Sequence, residues 1–159
     1  VKAGDVFYMP AGMVHAIGGG ILLYEIQQSS DVTYRLWDFN RVNDKGEKRP
    51  LHIRQSLDVI RPELKGQRAH MPEHPAQEIT HLLDVPAFTL DCVAADGACI
   101  LPAADTFRVL TALEPLTLRW LEGEMELKAG DTVLLPAACP EIGLEGHGRA
   151  LVSGVGSKA

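Results

Sequence analysis

The 159-residue sequence has few of the features that mark membrane, secreted or nucleic-acid-binding proteins. Its longest apolar stretch, residues 21–24, ends at Glu25 and is far shorter than the roughly 20 apolar residues of a membrane-spanning helix. It contains only three cysteines and no Cys-x-x-Cys pair, which is typical of reduced thiols in a cytoplasmic protein. Cationic residues are outnumbered, 15 Lys and Arg against 21 Asp and Glu, so neither nucleic acid nor an anionic membrane is an expected partner.

The sequence also lacks an initial methionine. It begins at Val1, and residues 1–5 already lead into a predicted strand, so we expect a fragment of a longer protein with no signal peptide to be read. The hydrophobic content of 46% is ordinary for a globular protein and is sufficient for a sizeable buried core.

An internal repeat is the clearest organising feature. Residues 2–11 recur as residues 128–137 with identity at six positions, an offset of 126 throughout. Each copy predicts a Gly-Asp turn, a four-residue apolar strand and a second turn begun by proline. The repeat therefore indicates two similar β units.

The sequence between and after the two copies predicts mostly short strands. Leu51, Ile53, Leu57 and Ile60 are spaced for one face of a short helix that ends before Pro62. Turn signals at 96–97, 122–123 and 146–148 separate further strands and favour an antiparallel sandwich or barrel. The strands are expected at 88–94, 107–112, 116–120, 124–127, 132–135 and 149–153. We expect one β unit over 1–62, a linker over 63–86 and a second unit over 87–159.

The string from Gly4 to His15 is the most informative motif. Gly4 permits a tight turn into the strand, Pro10 and Gly12 shape the turn that leaves it, and His15 is expected to start the next strand. The spacing resembles the second sequence motif of the cupin superfamily, in which the histidine binds a metal inside a small β-barrel. The second copy carries Glu141 at the position of His15, so it resembles a degenerate cupin unit, with Glu141 as an alternative ligand.

After His15 the resemblance narrows to one enzyme family. Residues 25–35 read Glu-Ile-Gln-Gln-Ser-Ser-Asp-Val-Thr-Tyr-Arg and resemble the segment that follows the metal histidine in bacterial, class I, zinc-dependent mannose-6-phosphate isomerases. The likeness covers nearly the whole chain, and it is strongest over 1–39. It implies an all-β fold with a short helical connection, of the cupin/jelly-roll class. The chain would be the C-terminal half of the enzyme, with part of a first cupin barrel followed by a degenerate second cupin.

The resemblance also implies the chemistry, which interconverts mannose 6-phosphate and fructose 6-phosphate through an enediol. His15 would be one ligand of a single zinc ion, Arg35 would stabilise the enediolate and contact the substrate, and Glu25 is the candidate proton carrier. Strand alternation places Glu25 and Gln27 on one face, so Gln27 is a candidate substrate contact. We expect His15 to point into the barrel interior beside Glu25 and Arg35.

The zinc site is expected to be incomplete. A catalytic zinc site needs about three protein ligands, and the Gln-x-His pair and Glu that the family supplies do not occur before His15. The chain alone is therefore expected to bind zinc weakly or not at all and to be inactive. A histidine cluster offers a substitute site, but two prolines prevent a regular helix and favour a solvated linker. The cluster comprises His70, His74 and His81 with Glu73 and Glu78, and the prolines are Pro72 and Pro75.

Two other functions stay open. One is a non-catalytic cupin module that binds a sugar or metabolite, and the other is a different metal-dependent cupin enzyme such as an oxygenase. The sugar phosphate itself is compatible with the net charge of -6, because a few local cations in a cleft suffice to bind it. An interrupted barrel should leave strand edges unpaired, so we expect a homodimer through exposed edges.

Overall fold

The computed structural model describes residues 1–73 and 78–156, and within them it shows nine strands and one short helix. The predicted all-β class with a short helical connection is confirmed, and the helix is too short to cross a membrane. The elements are β1 (Asp5–Tyr8), α1 (Ile53–Val59), β2 (Gln67–His70), β3 (Glu78–Val85), β4 (Phe88–Leu101), β5 (Arg108–Ala112), β6 (Leu116–Trp120), β7 (Gly123–Leu127), β8 (Thr132–Leu135) and β9 (Ile142–Val155).

The chain divides into two compact units. The strand-rich unit comprises Val1–Phe7, Ile26–Gln28 and Arg68–Ala159, and the loop-rich unit comprises Tyr8–Glu25 and Ser29–Gln67. The domain boundaries predicted from the sequence, after residues 62 and 86, are a different division and stay a prediction. The segment 63–86, expected to be a linker, contains β2 and β3, and β3 pairs along its length with β4. Apolar side chains at Leu82, Leu83 and Val85 are buried, which explains why this stretch joins a sheet.

The strand-rich unit is built on a seven-stranded antiparallel sheet. Five strands follow the order β3-β4-β9-β5-β8, while β6 pairs with both β9 and β7. The axis of the sheet is the ladder between β4 and β9, which is continuous from Phe88 opposite Val155 to Leu101 opposite Ile142. Inward side chains of these strands form one core, in which Leu110, Leu144 and Val93 are completely buried.

Two turns predicted from glycine are wrong. The signals at 96–97 and 146–148 lie inside β4 and β9, where Gly97 is directly opposite Gly146. Both glycines have positive φ, 96° and 130°, which lets the paired strands change direction without breaking the ladder. The turn at 122–123 is confirmed, because Trp120 pairs with Gly123 across a two-residue hairpin loop.

The internal repeat corresponds to a repeated structure. Gly4 and Gly130 have φ of 88° and 92°, and each precedes an aspartate whose carboxylate accepts a hydrogen bond from the backbone N–H of the lysine three residues earlier, at 3.0 Å and 2.8 Å. In the first copy the four-residue strand β1 follows the glycine directly, and in the second copy the four-residue strand β8 begins one residue later. In both copies a turn begun by proline comes next. The predicted turn, strand and turn are confirmed in both copies.

The loop-rich unit contains α1, where the sequence predicts a helix, but not the strand expected to begin at His15. Residues 9–41 form neither helix nor strand. A strand requires a hydrogen-bonded neighbour, and no described segment pairs with these residues. Alternation of side chains along 23–27 therefore does not hold here. In the described part of this unit, only Asp38 and Ser56 are buried.

Candidate functional site

His15 follows the turn made by Pro10 and Met13, and its side chain is exposed. Its Nδ1 lies 3.0 Å from the carbonyl oxygen of Met13. Because a carbonyl oxygen only accepts, Nδ1 is the donor in this contact, and in the neutral form of the ring Nε2 is then the nitrogen with the lone pair. Metal-binding histidines commonly use one ring nitrogen in this way while the other binds the metal. The turn thus presents Nε2 as a possible ligand atom.

Arg35 is held by the segment that leads into α1. Its backbone N–H donates to Nδ1 of His52 at 3.1 Å, and the N–H of His52 donates back to the Arg35 carbonyl at 2.8 Å. The guanidinium donates to the carbonyl of Pro50 at 3.4 Å. Its side chain is 20% exposed. Arg35 is therefore fixed on both its backbone and its side chain.

Asp38 is the charged centre of this region. Its carboxylate is bound by Arg49, through Nε at 2.8 Å and through a second contact from Nη2, and Nε of Arg35 lies 3.8 Å away. The hydrogen bond from Arg49 holds the pKa of Asp38 below its usual value, and the charges of Arg49, Arg35 and Arg41 act in the same direction against burial. The sequence analysis does not identify Asp38 or Arg49 as candidate site residues. The i to i+3 spacing of Arg35 and Asp38 is the one signal in the sequence for their ion pair.

The other predicted residues are placed as follows. Glu25 and Gln27 are exposed, and Glu25 belongs to the loop-rich unit whereas Gln27 belongs to the strand-rich unit. Among the described residues, no hydrogen bond or ion pair joins His15, Glu25 and Arg35. The structure therefore does not show the interior cluster expected from strand alternation, and the roles of His15, Glu25, Gln27 and Arg35 stay predictions.

The residues present do not amount to a zinc site. In the described ranges, 1–73 and 78–156, no group of three or more His, Cys, Asp or Glu side chains lies close enough to hold a metal ion. His70 donates from Nδ1 to Asp5 at 3.1 Å, and His81 donates to Asp91 at 2.6 Å. His74 lies outside the described residues. Any metal bound by His15 needs further ligands.

Glu141 follows the second repeat and is exposed. The thiols of Cys92, Cys99 and Cys139 are all free. Burial raises the pKa of Cys92 to about 11, so this thiol is protonated at neutral pH and is a packing residue of the core.

Comparison with known proteins gives a consistent result, although no family model matches the sequence. The chain is 36% identical over 157 residues to the mannose-6-phosphate isomerase ManA of Bacillus subtilis, a match that covers 96% of this chain and 50% of the relative. The mannose-6-phosphate isomerase of Streptococcus mutans is 63% identical over 60 residues, 38% of this chain and 19% of the relative.

A crystal structure of the mannose 6-phosphate isomerase from Bacillus subtilis has the same fold, with a TM-score of 0.66 at 22% identity, over 78% of this chain and 40% of that one. This likeness confirms the predicted cupin/jelly-roll class. The chain spans about half the length of the relatives that it matches along its whole sequence. The matched share fits the prediction of a C-terminal half.

Proposed function

This chain is a homologue of the mannose-6-phosphate isomerases over half of their length, and on that premise we propose that it is the C-terminal half of an enzyme that interconverts mannose 6-phosphate and fructose 6-phosphate. The observation that carries the proposal is the match over 96% of the chain to a protein of that name. The reaction moves a proton between two adjacent carbons through an enediol. It needs a proton carrier beside the substrate and positive charge near the developing oxyanion.

Arg35 is the residue that we assign to the oxyanion. Its backbone and guanidinium are anchored by His52, Pro50 and Asp38, and a preorganised cation stabilises developing charge without reorganising during the reaction. Glu25 is the proposed proton carrier, and Gln27 is a proposed substrate contact. Both are exposed, so a substrate can reach them.

Enzymes of this family are generally metal-dependent. We propose that the metal is zinc, one ion per complete protein, with Nε2 of His15 as one ligand and the others supplied from outside the described residues of this chain. The free Nε2 and the donating Nδ1 support this role. No step of the reaction is assigned to the ion, because the ligand set within the chain does not by itself fit one.

The test is an isomerase assay on mannose 6-phosphate. The chain alone should be inactive and should retain little zinc in metal analysis, whereas a chimera with the unmatched half of the Bacillus subtilis relative should be active. In that chimera, Arg35→Gln should lower kcat at least a hundredfold, while Arg54→Gln, an exposed arginine of α1, should change it less than twofold. A folded chimera that binds fructose 6-phosphate without converting it would favour the non-catalytic cupin module instead.

Two further expectations concern partners and location. We propose a homodimer through an exposed sheet edge, since β3 and β8 are the ends of the strand order in the larger sheet. A monomeric mass in light scattering at micromolar concentration would contradict it.

We also propose a cytoplasmic location, with the sugar phosphate rather than nucleic acid or a membrane as the partner. The three free thiols and the acidic net charge support this.

A further inference from the structure

The imidazole of His52 accepts a hydrogen bond from the backbone of Arg35, the residue assigned to the oxyanion. Both residues lie in the loop-rich unit, and the N–H of Arg35 donates to Nδ1 of His52 at 3.1 Å. Because a backbone N–H only donates, Nδ1 supplies the lone pair, and the proton of the neutral ring is on Nε2. A cationic imidazole carries a proton on both nitrogens and cannot accept. The contact therefore requires His52 to be neutral.

This contact lies at the base of a loop that the two residues close together. The N–H of His52 donates back to the carbonyl of Arg35 at 2.8 Å, so a reciprocal pair of hydrogen bonds joins them. The chain between them, residues 36–51, forms no helix and only an isolated bridge between Val42 and Lys48. Since the loop has so little regular structure, the pair of bonds at its base is what fixes the backbone of Arg35.

The position of His52 at the start of α1 does not explain its side chain. His52 is the N-cap residue of α1, yet its ring makes no capping hydrogen bond, and its backbone carbonyl accepts from the N–H of Ser56 at 2.8 Å. The side chains that cap helices well are those of Ser, Thr, Asp and Asn. The function of the imidazole at this position is therefore its contact with Arg35.

The same short segment also holds the guanidinium of Arg35. The guanidinium donates to the carbonyl of Pro50, two residues before His52, at 3.4 Å, and its Nε lies 3.8 Å from the carboxylate of Asp38. A movement of residues 50–52 would thus displace both the backbone and the side chain of Arg35. A misplacement of about 1 Å at a catalytic group can cost about a hundredfold in rate.

The charged and titratable groups around the ring do not favour a positive charge there. The ring of Tyr34 lies with its centroid 6.1 Å from that of His52, and Arg49 and Arg54 flank His52 in sequence. The carboxylate of Asp38 is already bound by Arg49 and approached by Arg35. A proton gained by Nδ1 at acid pH would replace the attraction to the Arg35 N–H by a repulsion.

We propose that neutral His52 is a positioning residue that holds Arg35 in place for catalysis, and that protonation of His52 releases Arg35. The inference rests on the proposed function for the reaction itself, but the hydrogen bond is measurable without turnover. Histidine is the side chain whose charge ordinarily changes between about pH 5 and 8. The position of Arg35 should therefore depend on pH in that range.

The first experiment is an NMR titration of the isotope-labelled chain from about pH 8 to about pH 5. The amide proton of Arg35 should move upfield as the pH falls, because loss of a hydrogen bond shields it. In His52→Asn it should not move, since the Asn oxygen accepts near the position of Nδ1 and does not titrate. The control is His147→Asn, which replaces a histidine of β9 that is 79% exposed and should leave the titration of Arg35 unchanged.

The second experiment measures kcat of the chimera for mannose 6-phosphate. At about pH 8, His52→Ala should lower kcat about tenfold, the effect of losing one hydrogen bond, while His52→Asn should stay within about twofold of the wild type. KM should change less than kcat, because Arg35 acts on charge that develops in the transition state. As the pH falls, the ratio of kcat in His52→Asn to kcat in the wild type should rise severalfold. Other titrating groups are common to both proteins and cancel in this ratio.

The outcomes separate this proposal from the isomerase proposal. An Arg35 amide that titrates equally in the wild type and in His52→Asn overturns the proposal, as does a folded His52→Ala chimera with the kcat of the wild type. If the chimera is inactive but the Arg35 amide responds to pH only when His52 is present, the control of Arg35 by His52 stands and the isomerase assignment falls. If the chimera is active and the kcat ratio does not change with pH, only the positioning role falls. Circular dichroism checks folding, and the ratio for His52→Asn remains decisive if His52→Ala does not fold.

Discussion

Gly130 shows how a single residue determines a turn. Its φ of 92° is strained for any residue with a Cβ, while the space that a Cβ would occupy is open, with no atom within 4 Å. The cost of a substitution there is therefore entirely a backbone cost. At Gly4, in the first copy of the repeat, an added Cβ would also meet the ring of His70 at 2.9 Å. The two copies share a backbone conformation but not the same surroundings.

Gly130→Ala should accordingly lower the free energy of unfolding by about 1 kcal/mol, because an L-residue resists positive φ. Urea denaturation followed by tryptophan fluorescence measures it. Gly143→Ala is the matched control. Gly143 lies in β9 with no positive φ, and its new Cβ would make an ordinary contact, 3.7 Å from Cβ of Arg119, so the change should be within about 0.5 kcal/mol. Equal losses in both variants would show that the backbone argument is mistaken.

The lowered pKa of Asp5 predicts that the stability of the protein depends on pH. The backbone N–H of Lys2, followed by the hydrogen bonds from Arg68 and His70, lowers the pKa of Asp5 from 3.8 to about 2. A carboxyl with a lowered folded pKa contributes stability above its unfolded pKa of about 4, and that contribution is lost as pH falls towards 2. The thermal midpoint should thus fall between pH 4 and 2 more steeply in the wild type than in Asp5→Asn.

The control for Asp5 is Asp58→Asn, at an exposed position of α1, which should follow the wild-type curve. A carboxyl resonance of Asp5 that titrates near pH 4 in NMR would contradict the assignment.

At the scale of single residues, the sequence was informative where the interaction is local: the Gly-Asp turn was predicted because all its atoms lie within four residues. The Asp38 cluster was not predicted, because Arg49 reaches it from eleven residues away and only the folded loop brings the two together.

At the scale of elements, the boundaries of short strands followed from apolar patterns and turn residues. β6 and β8 were predicted with their observed limits, and α1 with nearly its observed limits, because each is bounded by residues that form a turn. The long strands β4 and β9 were not. Each contains a glycine signal that elsewhere ends a strand, and here fourteen consecutive pairings outweigh it. Pairing within the sheet, rather than the local preference of glycine for a turn, therefore determines where these two strands end.

A buried leucine of this ladder should be costly to truncate. Leu144 in β9 has no exposed surface and lies in the main core, so Leu144→Ala should lower the free energy of unfolding by about 2–5 kcal/mol, the usual cost of a buried cavity. Leu134→Ala in β8 is the control, because that side chain is 63% exposed and should contribute less than about 1 kcal/mol. Comparable losses, measured by urea denaturation, would mean that the core does not centre on β9.

At the scale of the molecule, hydrophobic burial is unevenly distributed. All the buried hydrophobic residues of the described chain belong to the strand-rich unit. The loop-rich unit exposes large apolar side chains, among them Leu22, Trp37 and Leu57. The resemblance predicted the family and the fold class, but the interior placement of His15 assumed strand pairing that the described residues do not provide. The spacing of a motif shows which residue types occur at which positions. Whether one of these residues is buried depends on the segments of the chain that pack over it.

This distribution predicts how the two units differ in local stability. Amide protons can exchange when their hydrogen bonds open, and opening costs most where strands are paired and side chains are buried. Amides of β4 and β9 should exchange on the order of a thousandfold more slowly, relative to their intrinsic rates, than those of residues 14–25. Hydrogen–deuterium exchange with mass spectrometry measures both segments in one sample. Equal protection of residues 14–25 and the ladder would instead require a packed core in the loop-rich unit that these residues do not show.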